Sequence, residues 1–285
     1  MKQITVVSGK GGTGKTTIAA SFAALAHNHV IADCDVDAPD LHLLFETCLK
    51  EKEEFRGSKE AVVDEEKCID CGRCEKACKF GAIDGHTIDP ILCEGCGVCA
   101  YVCPENAIML RKKISGYAFI SETKYGPMIH AMLNIAEEAS GKLVALVRNK
   151  ARKIAEEQGR ELILIDGPPG IGCPVIASLT GVDMALIVTE PTMSGLYDLE
   201  RILELTHYFG IVSLVCINKY DINKENTNQI IEFCQRNGVN VISKIPYDPI
   251  VTEAMVAGKP VVEFSDGKVS RDIGEMWDNV MYALK

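Results

Sequence analysis

The sequence predicts an α/β protein with a doubly wound, mostly parallel sheet that carries a small inserted α+β domain. Apolar, strand-like runs alternate with helical stretches from residue 1 to about 47 and again from about 117 to 285, which is the pattern of a parallel sheet covered by helices. Between these parts lie eight of the 13 cysteines, flanked by charged stretches at 50–56 and 111–113. We therefore expect one domain in two parts, residues 1–60 and 112–285, interrupted by a second domain at 61–111.

The composition excludes several classes of protein. The chain has 40 acidic and 30 basic residues and a formal net charge of −10, which argues against nucleic-acid binding because that depends on cations meeting phosphates. No apolar run approaches the ~20 residues that span a bilayer, and the N-terminus does not read as a signal peptide. We expect a cytoplasmic protein whose cysteines, in a reducing compartment, bind metal rather than form disulfides.

The first predicted strand leads into a loop with a phosphate-binding pattern. Residues 4–8 read as a buried strand, and the next nine, GKGGTGKTT, precede a helical stretch. This matches G-x4-G-K-[ST] in its strand–loop–helix context, the P-loop. Backbone N–H groups of such a loop surround phosphates, and the helix N-terminus adds its positive end. The residues expected to bind nucleotide are Gly9, Gly11, Gly12, Thr13, Gly14, Lys15, Thr16 and Thr17.

Two side chains of this loop have expected catalytic roles. Lys15 is expected to reach the β- and γ-phosphates, and the Thr16 hydroxyl to hold Mg²⁺. Lys10 extends the motif to KGGTGKT, which resembles the deviant Walker A motif of the MinD, ParA, Mrp/NBP35 and nitrogenase iron protein superfamily. In that superfamily the lysine crosses a dimer interface to the partner's nucleotide. The resemblance implies that Lys10 is catalytic in trans in a homodimer, or in a heterodimer with a similar chain; the alternative is an exposed lysine without a dimer role.

An aspartate cluster follows the second predicted strand, residues 30–32. Carboxylates at the carboxyl edge of a parallel sheet face the ligand crevice, and this segment resembles the first switch loop of the superfamily. We expect Asp35 to position the attacking water and Asp33 to lie near Mg²⁺, with Asp37 as the alternative for either. A solvated turn without catalytic function is the other interpretation of the cluster.

A second acidic strand end completes the expected magnesium site. Residues 162–165 form an apolar run that ends at Asp166, the Walker B pattern of a central strand. The following residues, 167–170, read GPPG and match the second switch of the superfamily. We expect Asp166 to bind Mg²⁺ through water.

Two later segments match base-contacting parts of the same superfamily. A predicted strand ends at Asn218, where the superfamily has an asparagine that hydrogen-bonds adenine, and residues 245–249 around Pro246 match a base-contacting loop. Asp221 lies where GTPases with an NKxD motif have a guanine-reading carboxylate. GTP is therefore an alternative, but the resemblance favours ATP.

The cysteine-rich segment contains an internal repeat offset by 25 residues, each copy spaced C-x2-C-x2-C-x3-C. In this spacing three thiolates bind one [4Fe–4S] cluster and the fourth ligates the other cluster. The expected ligands are Cys68, Cys71, Cys74 and Cys103 for the first cluster, and Cys93, Cys96, Cys99 and Cys78 for the second.

Across about residues 61–111 the chain resembles bacterial two-cluster ferredoxins. It departs from their pattern in one place, because Cys103 is followed by Pro104 but Cys78 by Lys79. That difference weakens a turn and removes no ligand. Zinc is the alternative metal, but zinc uses two cysteine pairs per ion and leaves the other cysteines of each run without a role.

The whole chain thus resembles MinD-superfamily P-loop ATPases with an inserted bacterial-ferredoxin-like domain. The resemblance implies an ATP- and Mg²⁺-dependent ATPase. Because the cysteine-rich segment is inserted between the first switch and the Walker B strand, and Lys10 implies a dimer, our hypothesis is that the nucleotide state of the dimer gates electron transfer through two [4Fe–4S] clusters to a redox protein partner. Slow intrinsic hydrolysis is expected, because no arginine finger in cis is evident. The alternative is an ATP-dependent Fe–S cluster carrier of the Mrp/NBP35 type, which would need a C-terminal C-x-x-C pair, whereas Cys216 and Cys234 are isolated.

Two further features have competing interpretations. Cys173 lies in the second switch, where the nitrogenase iron protein has a cluster-binding cysteine; the favoured alternative is a small buried cysteine. The C-terminal segment has an apolar helical face with acidic residues opposite, which favours packing against the sheet over membrane binding. Its apolar residues are Ile273, Met276, Trp277, Val280, Met281 and Leu284.

Overall fold

Residues 1–137 and 140–285 are described by this computed structural model, and within them strands and helices alternate over most of the chain. The strands are β1 Lys2–Ser8, β2 His29–Asp33, β3 Thr47–Phe55, β4 Ser58–Val63, β5 Ile83–Asp84, β6 Thr87–Ile88, β7 Ile108–Lys113, β8 Gly116–Thr123, β9 Gly126–Leu133, β10 Leu162–Pro169, β11 Met184–Thr189, β12 Val212–Asn218 and β13 Asn240–Ile245.

The helices are α1 Lys15–Leu25, α2 Arg73–Ala77, α3 Val98–Val102, α4 Ser140–Glu157, α5 Cys173–Leu179, α6 Met193–Tyr208, α7 Lys224–Arg236, α8 Ile250–Val256, α9 Val261–Phe264 and α10 Lys268–Ala283, and a 3₁₀ turn covers Leu41–Leu44. In the described part of the chain, no helix has both the length and the apolar character needed to cross a membrane.

The chain divides into two compact units. The larger unit comprises Met1–Lys52, Ala118–Met132 and Ser140–Lys285, and the smaller unit comprises Glu53–Tyr117 and Leu133–Ala139.

The larger unit is built on a nine-stranded sheet of order β13-β12-β11-β1-β10-β2-β9-β8-β3. Every ladder from β13 to β9 is parallel. The central strands β1, β10 and β11 are buried along almost their whole length, as strands covered on both faces are, which explains their continuous apolar sequences. The predicted α/β fold with a mostly parallel sheet is therefore confirmed.

The strand order determines where a ligand can bind. In the sheet, β10 lies between β1 and β2, so the chain passes from β1 to a strand on one side. From β10 the chain then continues to β11, which lies on the opposite side of β1. Such a reversal opens a crevice at the carboxyl ends of the strands. The loops after β1, β2 and β10, which contain the predicted phosphate and magnesium residues, all start at this edge.

The C-terminal helix α10 packs on the main core, as its apolar face predicts. Ile273, Met276 and Val280 are buried in that core, and the Trp277 ring lies 4.9 Å from the Phe22 ring of α1, centroid to centroid. Glu275 and Asp278 of the same helix are exposed. The interpretation of this helix as a packing element is confirmed.

The smaller unit has two short antiparallel ladders and two short helices. β4 pairs with β7 from Ser58 opposite Lys113 to Val63 opposite Ile108, and β5 pairs with β6. Each copy of the cysteine repeat supplies one helix, and each helix begins after a glycine with positive φ, Gly72 before α2 and Gly97 before α3. The sequence repeat is thus also a structural repeat.

Candidate nucleotide and cysteine sites

The glycine-rich loop joins β1 to α1 at the carboxyl edge of the sheet. Gly12 and Gly14 have φ of 78° and 89°, in the left-handed region that favours glycine. A Cβ on Gly14 would lie 2.4 Å from Asn218 Nδ2, so the close approach of the β12 end also requires glycine there. The loop therefore presents backbone N–H groups and the N-terminus of α1 in the arrangement that suits phosphate.

Lys15 is the buried cation of this edge. Its Nζ donates to Asp166 Oδ1 at 2.9 Å and lies 3.6 Å from Asp35 Oδ2. Only 6% of the lysine side chain is exposed. Burial lowers the pKa of Lys15, but the charges of Asp166 and Asp35 outweigh this effect, so its pKa is raised and the ammonium form is favoured.

Asp33 lies behind this ion pair and is fully buried. Its two carboxylate oxygens accept hydrogen bonds from Asp35 N at 3.0 Å and Leu41 N at 3.2 Å. Burial, and after it the charge of Asp166, raise the pKa of Asp33 well above its ordinary value. Asp33 thereby connects the end of β2 to the 3₁₀ turn.

The aspartates after β2 differ in their surroundings. Asp35 is half-buried beside Lys15, and burial raises its pKa to about 6 even though Lys15 acts to lower it. Asp37 is exposed. Of the two residues considered for water positioning, the structure brings Asp35 and not Asp37 to the lysine.

The donor set at this edge fits Mg²⁺. The carboxyl groups of Asp33, Asp35 and Asp166 lie around the single ammonium group of Lys15, so oxygen donors outnumber the cation that they face. Asp166 Oδ2 is buried and has no hydrogen-bond partner among the described residues. The Thr16 hydroxyl, which accepts from Lys15 Nζ at 3.3 Å, adds a neutral oxygen. Oxygen ligands of this kind are those that Mg²⁺ prefers.

Glu190, which follows β11, was not singled out by the sequence. Its carboxylate lies 3.2 Å from Lys10 Nζ and pairs with Lys219 Nζ. Lys219 has φ of 54° and also donates to Gly12 O at 3.0 Å. The signal that could have found Glu190 is its position directly after a predicted buried strand, the same position that marked Asp33 and Asp166.

The predicted base-contacting residues lie near the loop. Asn218 Nδ2 donates to Thr13 O at 2.7 Å. In the ladder between β12 and β13, Asn218 is opposite Ile245, the residue before Pro246. Asp221 Oδ1 accepts from Tyr247 N at 2.7 Å, so this carboxylate holds the 245–249 segment beside the end of β12.

The favoured interpretation of Cys173 as a buried cysteine is wrong. Cys173 is exposed at the first residue of α5. The helix buries Val175 and Leu179, and its first residue precedes that buried face. A Cβ on Gly141 at the start of α4 would lie 3.3 Å from Cys173 Cβ, so the start of α4 packs close to this exposed cysteine.

The eight repeat cysteines line two separate cavities in the smaller unit. One set lines one small cavity and the other set lines a second, each of about 20 Å³. Each set combines three cysteines of one repeat with the last cysteine of the other repeat. The sets are Cys68, Cys71, Cys74 and Cys103 in the first cavity, and Cys78, Cys93, Cys96 and Cys99 in the second.

Backbone N–H groups point at several of these sulfurs. Cys103 Sγ accepts from Ala107 N at 3.2 Å, Cys78 Sγ from Ala82 N at 3.4 Å and Cys93 Sγ from Ala61 N at 3.5 Å. Such bonds are among the contacts that stabilise ligating thiolates and set cluster potentials. Among the described residues, no three His, Cys, Asp or Glu side chains are placed to share one metal ion. The thiols instead surround cavities, and thiolate donor sets of four fit Fe–S clusters.

The fold and the loop define this chain as a P-loop nucleotide-binding protein. Residues 4–261 match the CobQ/CobB/MinD/ParA nucleotide binding domain, and the chain belongs to this family. The match extends across the cysteine-rich segment to Val261, the first residue of α9.

Three relatives differ in how much of the chain they match. An uncharacterized protein of Methanocaldococcus jannaschii, MJ0578, is 36% identical over 98% of this chain and 96% of its own length. An iron-sulfur cluster carrier protein of Pyrococcus abyssi is 23% identical over 99% of this chain and 86% of its own. The pyruvate synthase subunit PorD of Methanothermobacter marburgensis is 46% identical over 52 residues, which are 18% of this chain and 64% of that subunit.

A solved structure has a similar fold. The septum site-determining protein MinD of Pyrococcus horikoshii, complexed with Mg-ADP, superposes with a TM-score of 0.58 and 18% identity over 98% of this chain and 95% of that chain. At this identity the likeness concerns the fold alone.

Proposed function

We propose that this protein is an ATPase in which the nucleotide state of a dimer gates electron transfer through two [4Fe–4S] clusters to a redox protein partner. One observation carries the proposal. A member of a nucleotide-binding family contains two cavities, each lined by four cysteines drawn from both copies of a repeat. This crossed pattern is the one expected for two [4Fe–4S] clusters.

The nucleotide chemistry is assigned to the cluster of charges after β1, β2 and β10. Lys15 neutralises the β- and γ-phosphates, and Asp35 orients the attacking water. Thr16, Asp33 and Asp166 hold Mg²⁺, which when bound neutralises charge on the phosphates. Asn218 and Pro246 contact the adenine. Hydrolysis without a partner is expected to be slow, because the sequence shows no evident arginine finger in cis and catalysis rests on positioning and charge.

Dimerisation is assigned to Lys10. In this structure Lys10 is paired with Glu190 of its own chain at 3.2 Å, and 33% of its side chain is exposed. In the dimer it leaves this partner for the nucleotide of the other subunit, which can be a second copy or a similar chain. The whole active unit thus contains two nucleotides between two chains.

The redox chemistry is assigned to a ferredoxin-like domain at residues 61–111, inserted between the ATPase parts 1–60 and 112–285. When bound, the two clusters accept and release single electrons. The 52-residue match with a pyruvate synthase subunit is about the length of this domain, and it supports a redox role. The lining of each cavity, by three cysteines of one repeat and the last cysteine of the other, supports clusters with ligands from both repeats.

The position of the insertion in the chain supports the coupling. The cysteine-rich segment follows the first switch segment and precedes the Walker B strand. Switch segments are ordered by the γ-phosphate and released on hydrolysis. A change of nucleotide therefore acts on the chain segment that leads through β3 into the smaller unit.

The proposal is tested on protein purified without oxygen. We expect about eight iron atoms per chain and the electron paramagnetic resonance signal of reduced [4Fe–4S] clusters. Cys103→Ser and Cys78→Ser should each perturb one cluster, whereas Cys48→Ser, a matched control outside both cavities, should perturb neither. Zinc in place of iron would contradict the proposal, as would midpoint potentials that are the same with ATP, with ADP and without nucleotide.

An ATP-dependent Fe–S cluster carrier is the second candidate function. The similarity to the Pyrococcus abyssi carrier over 99% of this chain favours it. The two functions differ in how firmly the clusters are held. Rapid transfer of iron and sulfide from the loaded protein to an apo-ferredoxin would support the carrier, and retention of the clusters during ATP turnover would support electron transfer.

A further inference from the structure

Four side chains form a row across one edge of the nine-stranded sheet. The His42 ring of the 3₁₀ turn stacks on the His130 ring of β9, with centroids 5.1 Å apart and planes 5° apart. The row continues from His130 to Phe119 of β8, whose ring centroid lies 4.8 Å from that of His130. Lys52 Nζ of β3 lies 5.8 Å above the Phe119 centroid. We refer to His42, His130 and Phe119 as the ring stack.

One end of the ring stack is tied to the candidate magnesium site. The backbone N–H of Leu41, the residue before His42, donates to Asp33 Oδ2 at 3.2 Å. The other Asp33 oxygen accepts from Asp35 N. The 3₁₀ turn that carries His42 is thus hydrogen-bonded directly to Asp33.

The other end of the ring stack lies where the chain enters and leaves the smaller unit. Lys52 is the last residue of the first segment of the larger unit, and Phe119 is the second residue of its next segment, Ala118–Met132. His130 lies two residues before the end of that segment. The row thus crosses three strands, β9, β8 and β3, and each of these strands contains a boundary between the two units.

Two buried nitrogens of the ring stack would gain from a second arrangement of its side chains. The Nδ1 atoms of His42 and His130 are buried and have no hydrogen-bond partner among the described residues. An unsatisfied buried polar atom is unfavourable. A movement of the turn that gave either nitrogen a hydrogen-bond partner would therefore recover part of the free energy that the movement costs. Coupling between distant sites needs an element of this kind, with two arrangements that both sites bias.

We propose that the ring stack is the positioning element that transmits the nucleotide state from Asp33 to the strands leading into the cysteine-rich unit. This inference rests on the proposed function for its biological meaning. The mechanical step itself concerns only the larger unit. ATP and Mg²⁺ change the bonding of Asp33, the 3₁₀ turn moves, and the stacked rings pass the displacement to β9 and β8.

Hydrogen–deuterium exchange tests the mechanical step. In the wild-type protein we expect exchange of β8 and β9 to differ between the ATP and ADP states. Phe119→Leu and His130→Leu should reduce this difference to about half or less, while the dissociation constant for ATP changes by less than about twofold. His130→Phe keeps the stacking and should retain the difference, and Tyr208→Leu removes an exposed aromatic elsewhere as the matched control.

Cluster midpoint potentials, measured on the same variants, separate this inference from the proposed function. The inference is overturned if β8 and β9 exchange alike in both nucleotide states of the wild type, or if both leucine variants retain the full difference. If exchange responds as expected but the potentials of the wild type do not depend on nucleotide, the ring stack transmits a movement and the proposed redox gating fails. The conservative His130→Phe variant covers the case in which a leucine variant does not fold.

Discussion

At the residue scale, Lys15 is the buried cation among the carboxyl groups of Asp33, Asp35 and Asp166. The lysine is buried between Asp166 and Asp35, and its raised pKa follows from their charges. Breaking a buried ion pair on one side leaves an uncompensated charge, which costs about 3–5 kcal/mol. Substitutions of Lys15 therefore mix loss of stability with loss of nucleotide binding. Asp35, which is less deeply buried than Lys15, is the cleaner probe of catalysis.

Asp35→Asn should lower ATP hydrolysis by about 100-fold or more and leave ATP binding nearly unchanged, because the amide cannot accept a proton from the water it orients. Asp37→Asn is the matched control, since Asp37 is exposed two residues further along, and should change turnover by less than about twofold. Turnover and nucleotide affinity, measured separately, check this. Equal effects of the two variants would refute the assignment of Asp35.

His29, at the start of β2, predicts how stability depends on pH. The side chain is 1% exposed, and burial, with Arg160 and His27 nearby, lowers its pKa from 6.5 to about 4. The unfolded chain therefore binds a proton at higher pH than the folded protein does. The contribution of His29 to the free energy of unfolding should be greatest above pH 6.5. It should decrease as the pH falls towards about 4, by up to about 3 kcal/mol.

Urea unfolding at about pH 7 and about pH 5 measures this dependence. His29→Leu should flatten it in part, because His130, whose pKa is also lowered to about 4 by burial, contributes in the same direction. His207→Leu is the control, since His207 is exposed. A pH dependence that is unchanged in His29→Leu would show that His29 is not the residue responsible.

At the scale of elements, the loop between β1 and α1 depends on close backbone approach. A Cβ on Gly9 would lie 2.1 Å from Asp198 Cβ of α6, whereas a Cβ on Gly11 would meet nothing within 4 Å. The two glycines belong to the same motif, but only the first is required by packing against a helix. The second is expected to matter for approach to the phosphates.

Gly9→Ala should therefore lower the free energy of unfolding by about 1–3 kcal/mol through overpacking. Gly11→Ala should change it by less than about 0.5 kcal/mol. Chemical denaturation of the two variants in the absence of nucleotide checks the difference. Similar stabilities would mean that α6 moves away from the loop at little cost.

At the scale of the whole molecule, the proposed dimer and the single chain compete for Lys10. In the single chain Lys10 Nζ is near Glu190, and it donates to the Thr192 hydroxyl at 3.3 Å. These contacts are partly exposed, so their loss costs little, about 1 kcal/mol or less. A phosphate in a dimer interface, screened from water, is a stronger partner for the same ammonium.

Lys10→Ala should accordingly abolish ATP-dependent dimerisation while changing the ATP affinity of the monomer by less than about threefold. Lys2→Ala, which removes an exposed lysine paired with Asp183, is the control. Light scattering with ATP and with ADP measures the oligomeric state. A Lys10→Ala protein that still dimerises with ATP would contradict the proposed role in trans.

The sequence by itself determined the features whose information is local in the chain. The P-loop occupies nine consecutive residues, Asp33 and Asp166 directly follow apolar strands, and the pairing of strands into a mostly parallel sheet follows from their alternation with helices. The apolar face of α10 was readable because helical spacing is periodic. The cysteine repeat predicted crossed sets, and those sets line the two cavities.

Only the tertiary structure decided which distant side chains meet. It brought Asp35 and not Asp37 to Lys15, joined Glu190 to Lys10 and Lys219, stacked His42 on His130, and left Cys173 exposed. Most of these side chains lie in segments that follow strands whose order in the sheet differs from their order in the chain. Because that order is set by the packing of the whole core, no spacing within a single segment encodes it.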